Sequence, residues 1–452
     1  MPITHLSPRQ VHERIGAHLL DDALPWVIDL ERSHGACIVD ARTGDELLDM
    51  FTFFASNPLG LNHPALAQDA EFRAELAAAA VNKPSNSDAW SVPMAEFVTT
   101  FERVLGDPAL PHLFLIDGGA LAVENALKVA FDWKSRHNEA HGRDPELGTK
   151  VLHLEGAFHG RTGYTMSLTN TDPNKVARFP KFDWPRISTP YVHGRPESEL
   201  RAAEERSLAE ARAAFEAHPH DIACFIAEPI QGEGGDRHLS PGYLQAMHAL
   251  CREFDALFVL DEVQTGCGMT GHRWAYEALG LEPDVVAFGK KLQVCGVMAG
   301  RRVDEVADNV FTVSSRINST WGGNLTDMVR SRRILEVIEA DHLVEHAAER
   351  GAELLSLLTD LAGRRPEVTN PRGRGLMCAV DLPDTVRRDA VLRACADRHL
   401  VVLGCGTRTV RFRPSLTVDS ATLHRAVGIL EEALVTLEHG REATLEPRRE
   451  AS

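Results

Sequence analysis

The chain contains no run of the roughly 18 consecutive apolar residues that a membrane-spanning helix needs, so no such helix is expected. Its first residues, Met1-Pro2-Ile3-Thr4-His5, form neither a basic nor an apolar leader, and no secretory signal is read there. Positive charge is scarce. Lys and Arg total 48 against 65 Asp and Glu, a formal net charge of −17. Such a surface repels nucleic acid and anionic lipid, although a local basic pocket can still hold a small anion. Cysteine is sparse: 8 in 452 residues, with no CxxC pair and no histidine cluster. That pattern argues against a disulfide framework and a structural metal. It points to reduced, mostly buried thiols in a cytoplasmic protein. Cys295 also admits a reading as a reactive thiol, which would require a lowered pKa. Internal repeats and low-complexity blocks are absent. The turn Asp117-Gly118-Gly119-Ala120 does not make GxGxxG, and this disfavours a dinucleotide-binding oxidoreductase.

What is present is an ordinary globular composition, 44% hydrophobic and 25% charged, long enough for two or three packed units. Short apolar runs at Leu113–Ile116, Lys150–Leu154, Ile222–Ala227, Ala256–Leu260 and Val285–Phe288 read as strands. Helical patterns at Ala120–Lys134, Glu197–His218 and Tyr243–Phe254 alternate with them. Such alternation predicts an α/β fold with a mostly parallel sheet covered on both faces. Asp327–Leu361 reads as one or two long helices. After Pro366 a short-element α+β pattern follows: Leu376–Leu382, helix Asp389–Arg398, Leu400–Leu403, Val410–Arg413 and helix Ser420–Glu438. The expected division is an N-terminal segment over 1–70, a large unit over 71–325 and a smaller C-terminal unit over 326–452. The polar tail after His439 is expected to fray.

Four features lie at or beyond strand ends, where open α/β sheets bind ligands. In Ile116-Asp117-Gly118-Gly119-Ala120 a strand runs through glycines into a helix, a cradle for an anion or simply a tight turn. Asp261 ends an apolar strand and can pair with a cationic ring nitrogen or cap the next turn; Gln264 follows three residues on. Lys290 and Lys291 follow a buried strand and Gly289. Desolvation there makes an amine nucleophilic toward aldehydes, though spacing alone does not say which lysine points inward. Phe158 could stack on a flat ring or pack in the core, with His159 beside it, and Arg161 could grip a carboxylate. Together these are the parts that pyridoxal 5'-phosphate (PLP) requires of a protein.

The stretches Gly118 to Lys128, Ala227 to His238, Asp261 to Gly268, Gly289 to Gly296 and Asn318 to Asn324 resemble the class III (ornithine/4-aminobutyrate-type) aminotransferases, PLP enzymes of fold type I. The resemblance runs from about Val11 to Glu438 and is strongest to the lysine-acting branch of that family. It implies that Lys290 carries the cofactor as a Schiff base and moves the proton; Lys290 is preferred to Lys291 because the family's lysine stands six residues after the aspartate that opens its strand, here Asp284. Asp261 would pair with the ring nitrogen, Gln264 with the ring oxygen, and Phe158 would stack on the ring with His159 nearby. The N–H groups of Gly119 and Ala120 would hold the phosphate, and Thr320 would reach it from the partner subunit of a homodimer. Many relatives have a small hydroxyl residue in the phosphate turn where this chain has Asp117-Gly118-Gly119, so backbone donors are expected to do that work. Arg161 would bind the α-carboxylate of L-lysine, and Arg411 that of 2-oxoglutarate, with Glu233 as its gate; Asn324 is a further expected substrate contact. The implied reaction moves the ε-amino group of lysine to 2-oxoglutarate. Its products are 2-aminoadipate 6-semialdehyde, which cyclises to piperideine-6-carboxylate, and L-glutamate. Rival readings are another ω-aminotransferase (acting on ornithine, 4-aminobutyrate or diaminobutyrate) and a non-catalytic protein of the same fold.

Overall fold

The structure, a computed structural model, describes residues 6–20 and 22–445. The opening residues Met1 to His5, and with them the expectation about a leader, lie outside the described residues. Seven strands make the central sheet, in the order His112–Ile116, Cys295–Ala299, Val285–Phe288, Leu257–Asp261, Ile222–Ala227, Lys150–Leu154 and Arg186–Ile187. Cys295–Ala299 is antiparallel to both neighbours, and the other pairs are parallel. The expected strands are all present. Cys295–Ala299 and Arg186–Ile187 were not anticipated.

Alternating side chains of these strands feed two cores. Leu257 and Val259 pack in one, Phe258 and Leu260 in the other; Val285 and Ala287 divide from Val286 and Phe288 in the same way. Strands buried on both faces lose the polar-apolar alternation, which is why each reads as a continuous apolar run. Helix Gly119–Ala140 covers one face, burying Ala122, Val123, Ala126, Leu127, Ala130 and Trp133 at helical spacing.

The C-terminal region holds an antiparallel four-stranded sheet in the order Thr369–Arg374, Met377–Asp381, Thr409–Phe412, Leu403–Cys405. The pattern over Asp327–Leu361 resolves into two helices, Leu325–Ala340 and Leu343–Arg364, interrupted where His342 takes a left-handed φ of 51°. The expected single strand Leu400–Leu403 is divided between two sheets. Leu400–Val401 pairs with Glu46–Asp49 of the N-terminal segment, and Leu403–Cys405 joins the C-terminal sheet. The final helix runs from Ser420 to Leu445, beyond the expected end at Glu438, and the rest of the polar tail lies outside the described residues.

The parallel strands share one direction, so Asp117, Glu155, Glu228, Asp261 and Gly289 all follow or close strands at the same end of the sheet. A ligand site is expected at that end.

Candidate active site

A cavity of about 320 Å³ opens there, lined by Gly119, Ala120, Phe158, His159, Arg161, Asp261, Gln264 and Lys290 among others. Residues separated by as many as 171 positions meet because each stands at a strand exit. Gly118 has φ +98° and leads into the 22-residue helix Gly119–Ala140, whose cap uses no side chain. A left-handed conformation there favours glycine. The first N–H groups of the helix are therefore left for an anion. Asp117 is turned to Lys83, 3.9 Å away.

Asp261 is buried. Its Oδ2 accepts from His159 Nδ1 at 2.8 Å, and its Oδ1 from the Val263 N–H at 3.1 Å. His159 is completely buried and its Nε2 has no partner. Burial alone would push the imidazole down, but the bond to Asp261 and the charges of Asp261 and Glu228 outweigh it and raise its pKa. The His159 ring thus fixes one carboxylate oxygen of Asp261 at the cavity wall.

The two lysines separate cleanly. Lys291 is fully buried and donates to the backbone carbonyl of Gln264 at 2.6 Å. Lys290 lines the cavity, its Nζ 5.7 Å from the centre of the Phe54 ring. Burial is the largest cause of its lowered pKa; Glu233 opposes this, while Arg411 and Arg413 add to it. Burial that disfavours the ammonium makes the amine a better nucleophile. Lys290 itself has a left-handed φ of 49°, a conformation that costs energy for a residue with a side chain.

Arg411, only 2% exposed, donates to Glu233 Oε1 at 2.6 Å, and Lys175 lies 3.4 Å from Glu233 Oε2. Burial pushes the Glu233 carboxyl up, but Arg411 and then Lys175 outweigh it and hold it below the ordinary range. Arg161 is exposed at the cavity mouth. Four expected residues do not line this cavity: the paired Glu233 and Arg411, which stand near Lys290, and Asn324 and Thr320. Asn324 spends its side-chain oxygen capping helix Leu325–Ala340 at the Thr326 N–H (3.0 Å), and Thr320 is exposed on the loop before that helix. The reactive-thiol reading of Cys295 is corrected: burial pushes its thiol above the ordinary range, so the thiolate is disfavoured.

Three residues of the site escaped the sequence reading. Glu228 is buried, with a pKa raised to about 7, first by burial and then by Asp261, against the pull of His159. Its Oε1 accepts from the Phe158 N–H (2.9 Å) and its Oε2 from the Gly232 N–H (3.0 Å). Phe54 stands between Lys290 and Arg411, 5.7 Å from each, on a turn in which Thr52, Phe53, Phe54 and Ala55 all have positive φ (41, 53, 61 and 62°). Four consecutive left-handed non-glycine residues are costly and rare, and no composition signal marks them. Arg413 bonds Gln264 and Asp236. A buried carboxylate following a strand at the ligand end was the available signal for Glu228.

Helix N–H groups without a side-chain cap, a buried carboxylate, a desolvated amine and an arginine paired with a glutamate thus meet at one end of the sheet. The family model for class III aminotransferases matches residues 21–434, and the chain belongs to that family. It is 64% identical over 430 residues to an L-lysine-epsilon aminotransferase of Mycobacterium tuberculosis, covering 95% of this chain and 96% of that one. Identity to the protein of the same description from Streptomyces clavuligerus is 57% over 440 residues, with 96% of each covered. The solved lysine aminotransferase from M. tuberculosis, in its internal aldimine form, superposes with a TM-score of 0.95 at 64% identity, covering 96% of this chain and all of that one.

Proposed function

We propose that this chain is a PLP-dependent L-lysine 6-transaminase. It transfers the ε-amino group of L-lysine to 2-oxoglutarate and forms L-glutamate and 2-aminoadipate 6-semialdehyde, which closes to piperideine-6-carboxylate. The carrying observation is the Glu233–Arg411 pair beside Lys290, at 2.6 Å and with the arginine 2% exposed. One pocket must take lysine by an end that has no carboxylate, and then 2-oxoglutarate by an end that has one. A buried guanidinium with no counter-charge is costly. Glu233 neutralises Arg411 when lysine is bound and yields it to the α-carboxylate of 2-oxoglutarate. The full-length identity to lysine enzymes supports the same substrate.

The residues fit PLP. Gly118 and Gly119 leave helix N–H groups for a phosphate, His159 backs Asp261 through a wholly buried bond, and Lys290 is the desolvated amine of the cavity. Bound there, PLP supplies an aldehyde for amine exchange and a ring that delocalises the electrons left when a proton is removed. The protein does the rest. Asp261, oriented by its bond from His159, would pair with the ring nitrogen. Gln264 donates to the ring oxygen, and Phe158 offers a flat apolar face. Arg161 holds the α-carboxylate of lysine at the mouth, which sets the ε-carbon near Lys290. Lys290, which would hold the cofactor at rest, would be the base that takes the proton from that carbon. In the second half-reaction it returns a proton to the 2-oxoglutarate skeleton.

A homodimer is part of the proposal. Trp90 is 86% exposed, Val92 71% and Trp321 46%, more large apolar surface than one region of a lone subunit should leave wet. Thr320, beside Trp321, would then reach the phosphate held by the partner. Contacts of Asn324 with substrate would depend on the same assembly. We also keep the division at 70 and 325, with the N-terminal segment riding on the smaller unit through Glu46–Asp49 and Leu400–Val401. All eight cysteines are unpaired, which supports a cytoplasmic location.

The test is a donor panel with PLP and 2-oxoglutarate, assaying glutamate and weighing the second product. L-Lysine should be the preferred donor and the product the cyclised six-carbon semialdehyde. Preference for ornithine, 4-aminobutyrate or diaminobutyrate would overturn the substrate assignment.

A further inference from the structure

Two residues beyond Arg411 on the same strand exit, Arg413 makes a second pair with the loop that carries Glu233. It differs from the first in kind. The side chain of Arg413 is 1% exposed and that of its partner Asp236 is 0% exposed, against 18% for Glu233. Arg413 Nε and Nη2 donate to Gln264 Oε1 at 3.2 and 3.1 Å, Nη1 donates to the Phe412 carbonyl at 2.7 Å, and Nη2 also meets Asp236. The Asp236 loop is itself clamped: Arg372 donates to the carbonyls of Gly235 (2.7 Å) and Asp236 (2.8 Å). Gln264 is held a second time through its own carbonyl by Lys291, at 2.6 Å. A methyl group on Gly232 would lie 2.5 Å from Gln264 Oε1, so the amide also packs against bare backbone.

We propose that Arg413 is a positioning residue that fixes Gln264 as a hydrogen-bond donor toward the cavity. The reason is chemical. A guanidinium can only donate, whereas an amide can present either its oxygen or its NH2. With Oε1 taken up by two guanidinium N–H groups, Gln264 has only Nε2 left for the cavity that it lines. A free amide could turn and set its oxygen against an anionic ring oxygen. Asp236 makes the lock affordable, because an unpaired buried guanidinium would not stay in place. The loop thus carries two arms. Glu233–Arg411 is partly exposed and can part, while Asp236–Arg413–Gln264 is dry and static. The inference rests on the reading that PLP fills the cavity with its ring oxygen at Gln264.

The experiment is a pH titration of the visible band of the holoenzyme. Donation from Gln264 favours the ionised ring oxygen and holds the midpoint low. Arg413→Lys keeps a charge for Asp236 but loses the two-pronged grip. Its midpoint should rise by about one pH unit, a ten-fold change in proton affinity. Gln264→Glu cannot donate when ionised and should raise the midpoint likewise. The double variant should rise no further than the larger single change, because both remove one interaction. Should Arg413→Lys fail to fold, Arg413→Gln with Asp236→Asn removes both buried charges together, and the same rise is expected. A lowered melting temperature with an unmoved midpoint in the Arg413 variants would make the residue structural only and overturn the proposal. A wild-type protein that takes up no visible band with PLP would sink the cofactor reading itself, and the inference with it.

Discussion

Glu233 shows how much of this site was readable from residue type and how much was not. Its pairing with Arg411 was expected from family resemblance, and the two are brought together across 178 positions. Removing Glu233 leaves Arg411 buried and uncompensated whenever lysine occupies the pocket. Glu233→Ala should slow the half-reaction with lysine by about ten- to a hundred-fold, some 1.4–2.8 kcal/mol, and spare the half-reaction with glutamate. Single-turnover bleaching of the cofactor band with each donor measures both, and equal losses would count against a gate. The choice between Lys290 and Lys291 could not be made from their identical chemistry. Lys291 is taken up by a carbonyl, Gln264 O, that lies 27 positions away, and Lys290 lines the cavity. Phe54 and Arg413 were invisible for a related reason. One depends on a turn that no residue preference encodes, and the other reads as an ordinary basic residue until Asp236 and Gln264 are seen around it.

Elements were legible where burial made them monotonous. Ile222–Ala227 and Val285–Phe288 are apolar throughout and have the expected bounds. Cys295–Ala299 was missed because its glycine-flanked start reads as a continuation of the Lys290 loop; only pairing with His112–Ile116 and Val285–Phe288 makes it a strand. The division of Leu400–Cys405 between two sheets is likewise a tertiary decision. Joints between elements carry their own chemistry. Glu262, directly after strand Leu257–Asp261, accepts from the Tyr276 N–H at 2.8 Å and from the Thr265 hydroxyl, so it ties the strand exit to helix Ala275–Ala278. Burial raises its pKa from 4.5 to about 7, with Thr265, Tyr276 and Lys291 opposing. Below pH 4.5 the carboxyl is protonated both folded and unfolded, and its contribution to stability is fully present. As pH rises toward 7 only the unfolded chain releases the proton, and that contribution is lost, by at most about 3 kcal/mol. Glu262→Gln never ionises. Its stability relative to wild type should therefore increase between pH 5 and pH 8 in thermal unfolding. A difference that does not change with pH would show that Glu262 is ionised in the folded protein at both.

At the scale of the whole molecule, a net charge of −17 surrounds a cavity whose neighbours include Lys290, Arg411 and Arg413. Doubly charged 2-oxoglutarate is repelled at a distance and attracted only at the mouth, where Arg161 stands exposed. Assembly bears directly on that cavity. A groove lined by Trp90, Met94, Val98, Leu113, Phe114 and Leu115 borders Asn318 and Gly322, on the loop that carries Thr320. If a second copy covers this face, the phosphate site of each subunit is completed by the other, and association and cofactor retention become one equilibrium. The chain mass of 49.7 kDa should then appear doubled in sedimentation. Trp90, 86% exposed in the single subunit, would be an anchor of that contact. Trp90→Glu should weaken association by about 2 kcal/mol or more. It should also release PLP on dilution, with the loss of the visible band tracking the appearance of monomer. Monomer that keeps its cofactor would separate the two events. Thr320 would then have no part in holding the phosphate, and each subunit would be complete by itself.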